Sequence, residues 1–254
     1  MTDATDDQDA VLGLLDTTRA VLFDFDGPVC DLFGGASTAC VAERIKQVAR
    51  QDWEPLDRQV ETCDDSHGIL RRLRDMYDRR APEQLGRRPL VRAEKIVADF
   101  ESEAVRTARA SEHINPLVGL LLELPMRLVI VSNNAEGPIR QHLERQGLDL
   151  KFERVFGRDP ENAGHMKPDP HCVKRALRHL RLAPSSCLVV GDQLTDLKAA
   201  WSVGVPFLGY TQDEKRYREM KDNGANAVVS SHATVVEAAK ELIKIRRASA
   251  SDSR

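Results

Sequence analysis

From residue 127 onward, short apolar runs rich in β-branched residues alternate with amphipathic stretches of helical length. RLVIV at 127 to 131, ERVF at 153 to 156, CLVV at 187 to 190, VPFLG at 205 to 209 and NAVV at 226 to 229 read as strands. AVLFDF at 20 to 25 supplies an earlier one. Apolar residues at three- and four-residue spacing predict helices at 136 to 146, 170 to 181, 193 to 203 and 233 to 246. This alternation predicts an α/β fold, a Rossmann-like, doubly wound parallel sheet with helices on both faces.

About 100 residues separate the first two strands, whereas a single crossover needs only ~10 to 12. The interval is therefore an insertion. ASTACVAERIKQVARQ, HGILRRLRDMYDRR and RAEKIVADFESEAVRTARA carry helical periodicity, with Pro and Gly mainly between them. The expectation is a helical domain over 34 to 113, entered through Gly34-Gly35 and left near Asn115-Pro116, set into a core of residues 11 to 33 and 114 to 246. Residues 1 to 10 and 247 to 254 are polar enough to be expected disordered.

Lys and Arg total 37 against 40 Asp and Glu, so the net charge of -3 offers no footprint for nucleic acid or an anionic membrane surface. The longest apolar runs, such as VGLLLEL, are far shorter than the ~20 residues of a spanning helix. The acidic start, MTDATDDQDA, lacks the basic and apolar regions of a signal peptide, so a cytoplasmic location is expected. Five cysteines, none in a C-x-x-C pair, read as reduced thiols.

The chemistry concentrates where apolar runs end. In AVLFDFDGPV, Asp24 and Asp26 follow a strand, and in a parallel α/β sheet the ligand crevice lies beyond the carboxyl ends of the strands. Two close carboxylates repel unless a cation lies between them or one holds a proton, and hard oxygen ligands suit Mg2+. A polar turn is the plain alternative. CLVVGDQLTD repeats the arrangement with Asp192, then Asp196 in the first turn of a helix, where capping is the ordinary role of an acid. VIVSNN offers Ser132 and Asn133 as donors to a phosphate oxygen, or as turn residues. HMKPDP offers Lys167 as a point charge for a phosphate, though most lysines are merely solvated.

Taken in order, DFDGPV, VSNN, KPDP and GDQLTD resemble the four motifs of the haloacid dehalogenase superfamily, across residues 20 to 210. The helical insert resembles the type 1 cap of its phosphoglycolate-phosphatase-like and β-phosphoglucomutase-like branches. The resemblance implies a Mg2+-dependent phosphatase acting on a small phosphorylated metabolite through an aspartyl-phosphate, as a monomer or homodimer. Asp24 is then nucleophile and metal ligand, and Asp26 is general acid/base with its backbone carbonyl on the metal. Asp192 completes the metal site and Asp196 supports it. Ser132, Lys167 and Asn133 would bind the phosphoryl group.

Two positions depart from the family pattern. Pro28 stands where Thr is usual, and Gln193 where Ser or a second acid is common. Retention of Asp26 favours phosphate ester chemistry over the dehalogenase and phosphonatase branches. A phosphomutase is the second reading, and a catalytically lapsed binding protein the third. In the insert, His67 and Gly68 start a helix and are candidates to reach the site, with capping by Asp64, Asp65 or Ser66 as the alternative. Arg71, Arg72, Arg74, Arg79 and Arg80 cannot all face one crevice from a helix, and Trp53 and Tyr77 read as core.

Overall fold

A computed structural model describes residues 8–80 and 86–252. Six parallel strands form the main sheet, in the order β5-β4-β1-β6-β7-β8: β1 (Ala20–Phe23), β4 (Arg127–Val131), β5 (Arg154–Phe156), β6 (Cys187–Gly191), β7 (Phe207–Tyr210) and β8 (Ala227–Val229). Side chains alternate across a strand, and the two faces of the sheet separate accordingly. Val21, Phe23, Leu128, Ile130, Leu188 and Val190 enter one apolar core, while Ala20, Leu22, Val129, Val131, Cys187 and Val189 enter the other.

Helices α1 (Gln8–Thr17), α6 (Ile114–Glu123), α7 (Glu136–Arg145) and α11 (His232–Asp252) contribute to the first core. Helices α8 (His171–Leu180), α9 (Leu194–Trp201) and α10 (Glu214–Asp222) contribute to the second. The result is the doubly wound α/β arrangement, with no strand boundary more than two residues from the one predicted. The sequence expectation did not single out α1, α6 or α10. The apolar run VGLLLEL lies mostly in α6, whose Leu117, Val118 and Leu121 are buried.

Between β1 and β4 the chain builds α2 (Ala39–Trp53), α3 (Arg58–Glu61), α4 (Ser66–Arg79) and α5 (Arg88–Ala104) around a third apolar core. Trp53 and Tyr77 stack in it with ring centroids 5.6 Å apart. Two short strands, β2 (Cys30–Asp31) and β3 (Arg109–Ala110), pair antiparallel where the chain leaves the sheet and where it returns. Gly34 and Gly35 follow β2 with φ of 59° and 73°, a left-handed turn that a side chain would strain. Asn115 and Pro116 lie within the first turn of α6, where the missing Pro N–H costs no hydrogen bond.

The terminal expectations need correction where the structure describes them. Residues 8 to 10 belong to α1, and α11 continues through 247 to 252. Apolar Val11 and Leu15 anchor α1, which packs on α11. Arg246 reaches Asp16 and Arg247 reaches Glu123, and Ser249 and Ser251 donate to carbonyls four residues back, so a polar segment extends an anchored helix. Residues 1 to 7, 253 and 254 lie outside the described part.

Candidate active site

Strands β1, β4 and β6 are adjacent at the sheet centre, and the chain runs β1 to β4 to β5 on one side before crossing to β6, β7 and β8 on the other. Such a switch point opens a crevice at the carboxyl ends of the strands. Asp24 follows β1, Ser132 and Asn133 follow β4, and Asp192 and Asp196 follow β6. Lys167 arrives from the loop between β5 and α8. With Asp26, all seven residues line one cleft of about 640 Å3.

Lys167 is the centre of the arrangement, and it is only 2% exposed. Its Nζ lies 2.9 Å from Asp24 Oδ1 and 2.5 Å from Asp196 Oδ1, and donates to the Val131 carbonyl at 3.1 Å. Burial acts to lower the Lys167 pKa, but Asp196 and Asp24 outweigh it and hold the ammonium charged far above its ordinary value. Asn133 seats this residue. Its Oδ1 accepts from the Lys167 N–H at 2.7 Å and its Nδ2 donates to the Lys167 carbonyl at 3.3 Å. Ser132 Oγ donates to Asn134 Oδ1 at 3.0 Å.

Carboxylate oxygens of Asp24, Asp192 and Asp196 lie within 4.8 Å of one another. Burial, then the charges of Asp196, Asp24 and Asp26, push Asp192 up to about 8. Asp196 is raised to about 6 by burial, against the opposing pull of Lys167. Its two oxygens divide the work: Oδ2 accepts from the Gln193 N–H at 3.0 Å as a helix-start bond, while Oδ1 faces Lys167. Capping and the site are thus served together. Four carboxyl groups stand against the Lys167 ammonium and the Arg216 guanidinium, which lies 3.6 Å from Asp192 Oδ2, and an all-oxygen donor set fits a hard divalent cation.

Asp26 takes a different position. Its carboxylate stands outside the three-acid cluster and accepts from the Leu32 N–H at 2.9 Å. Burial raises it to about 6, with the Leu32 bond opposing. Gly27, at φ 103°, lets Asp192 approach: a Cβ there would sit 2.6 Å from Asp192 Cγ. Gln193 Nε2 donates to Asp192 Oδ2 at 2.6 Å, so this amide holds the carboxylate directly.

The insert closes the cleft from the other side with Thr38, His67 and Arg71 among others. Of the five arginines weighed from sequence, only Arg71 lines it. Arg72 bonds the Gln59 carbonyl, Arg74 pairs with Asp78, and Arg79 and Arg80 pair with Asp57. Asp65 accepts from the Gly68 N–H as a cap, while His67 Nε2 lies 2.9 Å from Glu101 Oε1.

Glu101, on α5 and 0% exposed, joins the insert to the core and was not singled out from sequence. It accepts from Arg158 Nη1 at 2.8 Å, Asn134 Nδ2 at 3.1 Å and the Ala135 N–H at 2.9 Å. Arg158 also clasps Glu94 of α5 at 2.8 to 3.0 Å. One Glu among many on an amphipathic helix carries no local mark, so only the fold reveals it. A second cluster, Asp159, His165 and His171, lies elsewhere. Its two rings are stacked, parallel within 4° at 4.0 Å, so no point within coordination distance lies in both ring planes, as joint ligation requires.

A family model described as haloacid dehalogenase-like hydrolase matches residues 18–204. The chain belongs to that family. It is 28% identical over 203 residues to a phosphoglycolate phosphatase of Rhodospirillum rubrum, covering 77% of this chain and 82% of the relative. A phosphoglycolate phosphatase of Neisseria gonorrhoeae is 29% identical, with 78% and 81% covered. The crystal structure of a predicted phosphatase from Clostridium acetobutylicum shares the fold, with a TM-score of 0.60, 20% identity, and 89% and 99% of the two chains covered. Family and relatives together indicate a phosphatase of the haloacid dehalogenase type. No described helix is long and apolar enough to cross a membrane.

Proposed function

We propose that this protein is a Mg2+-dependent phosphomonoesterase that hydrolyses a small phosphorylated metabolite through an aspartyl-phosphate on Asp24. The single observation that carries the reading is the buried Lys167 ammonium 2.9 Å from the Asp24 carboxylate, inside the cleft that the three-acid cluster also lines. A lone pair of carboxylates would repel an anionic phosphate. A fixed ammonium beside the attacking oxygen offsets that repulsion and is already oriented for the charge of the transition state.

Asp24, Asp192 and the Asp26 backbone carbonyl would hold the metal, with Asp196 in support. When bound, Mg2+ supplies charge neutralisation of the phosphoryl oxygens. Asp24 attacks phosphorus; the new O–P bond forms as the bond to the alcohol oxygen breaks, and Asp26 gives that oxygen a proton. Water then attacks the same phosphorus, Asp26 takes its proton, and the Asp24 carboxylate is regenerated as phosphate leaves. Ser132 and Lys167 orient the phosphoryl group. Asn133 acts chiefly on Lys167, through the paired bonds to its N–H and carbonyl.

The relatives named phosphoglycolate phosphatase put phosphoglycolate first among compounds to assay. Phosphate release from it and from p-nitrophenyl phosphate is expected with Mg2+ and not with chelator. Asp24→Asn is expected to fold and to lose at least ~1000-fold in turnover. Full activity in that variant would remove Asp24 as nucleophile. Exchange of phosphate between sugar positions with little free phosphate would identify a mutase instead.

A further inference from the structure

The turn that follows Asp26 is held by donors on three successive carbonyls. Ser111 Oγ donates to the Gly27 carbonyl at 2.6 Å, His232 Nε2 to the Pro28 carbonyl at 2.6 Å, and the Ser111 N–H to the Val29 carbonyl at 2.9 Å. Both residues are remote in sequence. Ser111 directly follows β3, where the chain returns from the insert, and His232 opens α11.

His232 is 1% exposed. A carbonyl oxygen only accepts, so the ring proton resides on Nε2. Nδ1 is buried without a partner among the described residues, and a second proton there would be orphaned. Burial lowers the His232 pKa to about 4, against the Pro28 bond, so the ring is neutral. Tyr210 stacks on it with centroids 4.3 Å apart and 13° between planes, which sets the direction of the N–H. An apolar side chain would fill this place without leaving a buried nitrogen unsatisfied. What histidine adds is one aimed donor, and it is aimed at a proline that has no N–H and no side-chain hydroxyl with which to brace the turn.

We propose that His232, together with Ser111, is a positioning residue that fixes the turn after Asp26 so that the Asp26 carboxyl reaches the departing oxygen. The inference rests on the phosphomonoesterase reading. In the first transfer, the Asp24 oxygen bonds phosphorus, the phosphorus–oxygen bond of the ester breaks, and the proton passes from Asp26 to the alcohol oxygen. A displaced Asp26 therefore slows esters of poor leaving groups. It spares p-nitrophenyl phosphate, whose leaving group departs as a stable anion.

The test compares kcat/KM, which ends with release of the alcohol, for glycerol phosphate and p-nitrophenyl phosphate in His232→Phe, His232→Gln and Ser111→Ala, each checked for fold by its thermal midpoint. His232→Phe and Ser111→Ala are expected to lose roughly 10- to 100-fold on glycerol phosphate and to stay within about threefold on p-nitrophenyl phosphate. His232→Gln keeps an N–H and is expected to recover most of the loss. Equal losses on both esters, or a Gln variant no better than Phe, would overturn the inference. Should His232→Phe not fold, Ser111→Ala alone decides the comparison. Absence of phosphate release by the wild-type protein overturns the phosphomonoesterase reading and this inference with it.

Discussion

Lys167 illustrates how one side chain sets the character of the site. Taken alone in the sequence it is an ordinary lysine beside a proline, yet the fold buries it between Asp24 and Asp196. Removing one member of a buried ion pair leaves the other charge uncompensated, at a cost of about 3–5 kcal/mol. Lys167→Met is therefore expected to lower the thermal midpoint in metal-free buffer, and added Mg2+ is expected to restore part of it by neutralising the uncompensated carboxylates of Asp24 and Asp196. An unchanged midpoint would argue against the ion pair as a stabilising contact. Gly27 is constrained in a different way. At φ 103° and with a Cβ destined to meet Asp192, Gly27→Ala combines backbone strain with displacement of a carboxylate, at roughly 1–3 kcal/mol. Isothermal titration should show weakened Mg2+ binding in this variant, and wild-type affinity would contradict the expectation.

Among the elements, α5 carries a buried polar connection between insert and core. Glu94 and Glu101 lie seven residues apart, two helical turns, and so present their carboxylates along one side of α5 to Arg158. Burial opposes ionisation of Glu101, yet Arg158 and His67 outweigh it and hold its pKa down to about 2. Glu101→Ala orphans part of Arg158 and the Asn134 amide, and a loss of about 3–5 kcal/mol in urea-unfolding stability is expected. Arg158→Ala in the same background should add much less than it does alone, because the two changes remove one network. Additive losses would mean that the residues act independently. The same network supports His67, so α5 also determines where one wall of the cleft stands.

For the molecule as a whole, the response to acid is a balance: Asp192, Asp26 and Asp196, raised in the fold, gain stability as pH falls, and the buried histidines lose it. Burial, aided by Arg145, lowers His142 to about 4, and burial lowers His232 to about 4. In the unfolded chain both titrate near ~6.5. Between these values the unfolded state binds more protons, so their contribution is complete above pH ~6.5 and declines as pH falls toward ~4. Glu101, depressed in the fold, adds a further loss from ~4.5 toward ~2 as its carboxylate is protonated. Each histidine accounts for up to roughly 3 kcal/mol. The stability change from pH 7 to pH 5 in urea titrations should therefore be less favourable in the wild-type protein than in His142→Phe, which lacks one of these rings, and parallel pH profiles for the two would show that the His142 ring is hydrated in the native state.

What the sequence determined by itself was the set of short-range features: apolar runs, helical periods, and the polar residues that end each run. Asp24, Ser132 and Asp192 were legible because each sits within two residues of a strand end, a relation encoded along the chain. The insert was legible from the length of the gap between the first two strands. Tertiary structure alone decided which distant groups meet. Strand order brought the ends of β1, β4 and β6 together, turned Lys167 inward, and placed Glu101 on Arg158 and His232 on the Pro28 carbonyl. It likewise carried α11 past its predicted end, because contacts with α1 and α6 stabilise a helix whose own polar residues signal none. The division has a physical cause. Secondary structure follows from periods of two and 3.6 residues, whereas a buried ion pair or a single aimed N–H depends on where the backbone has already been placed by packing.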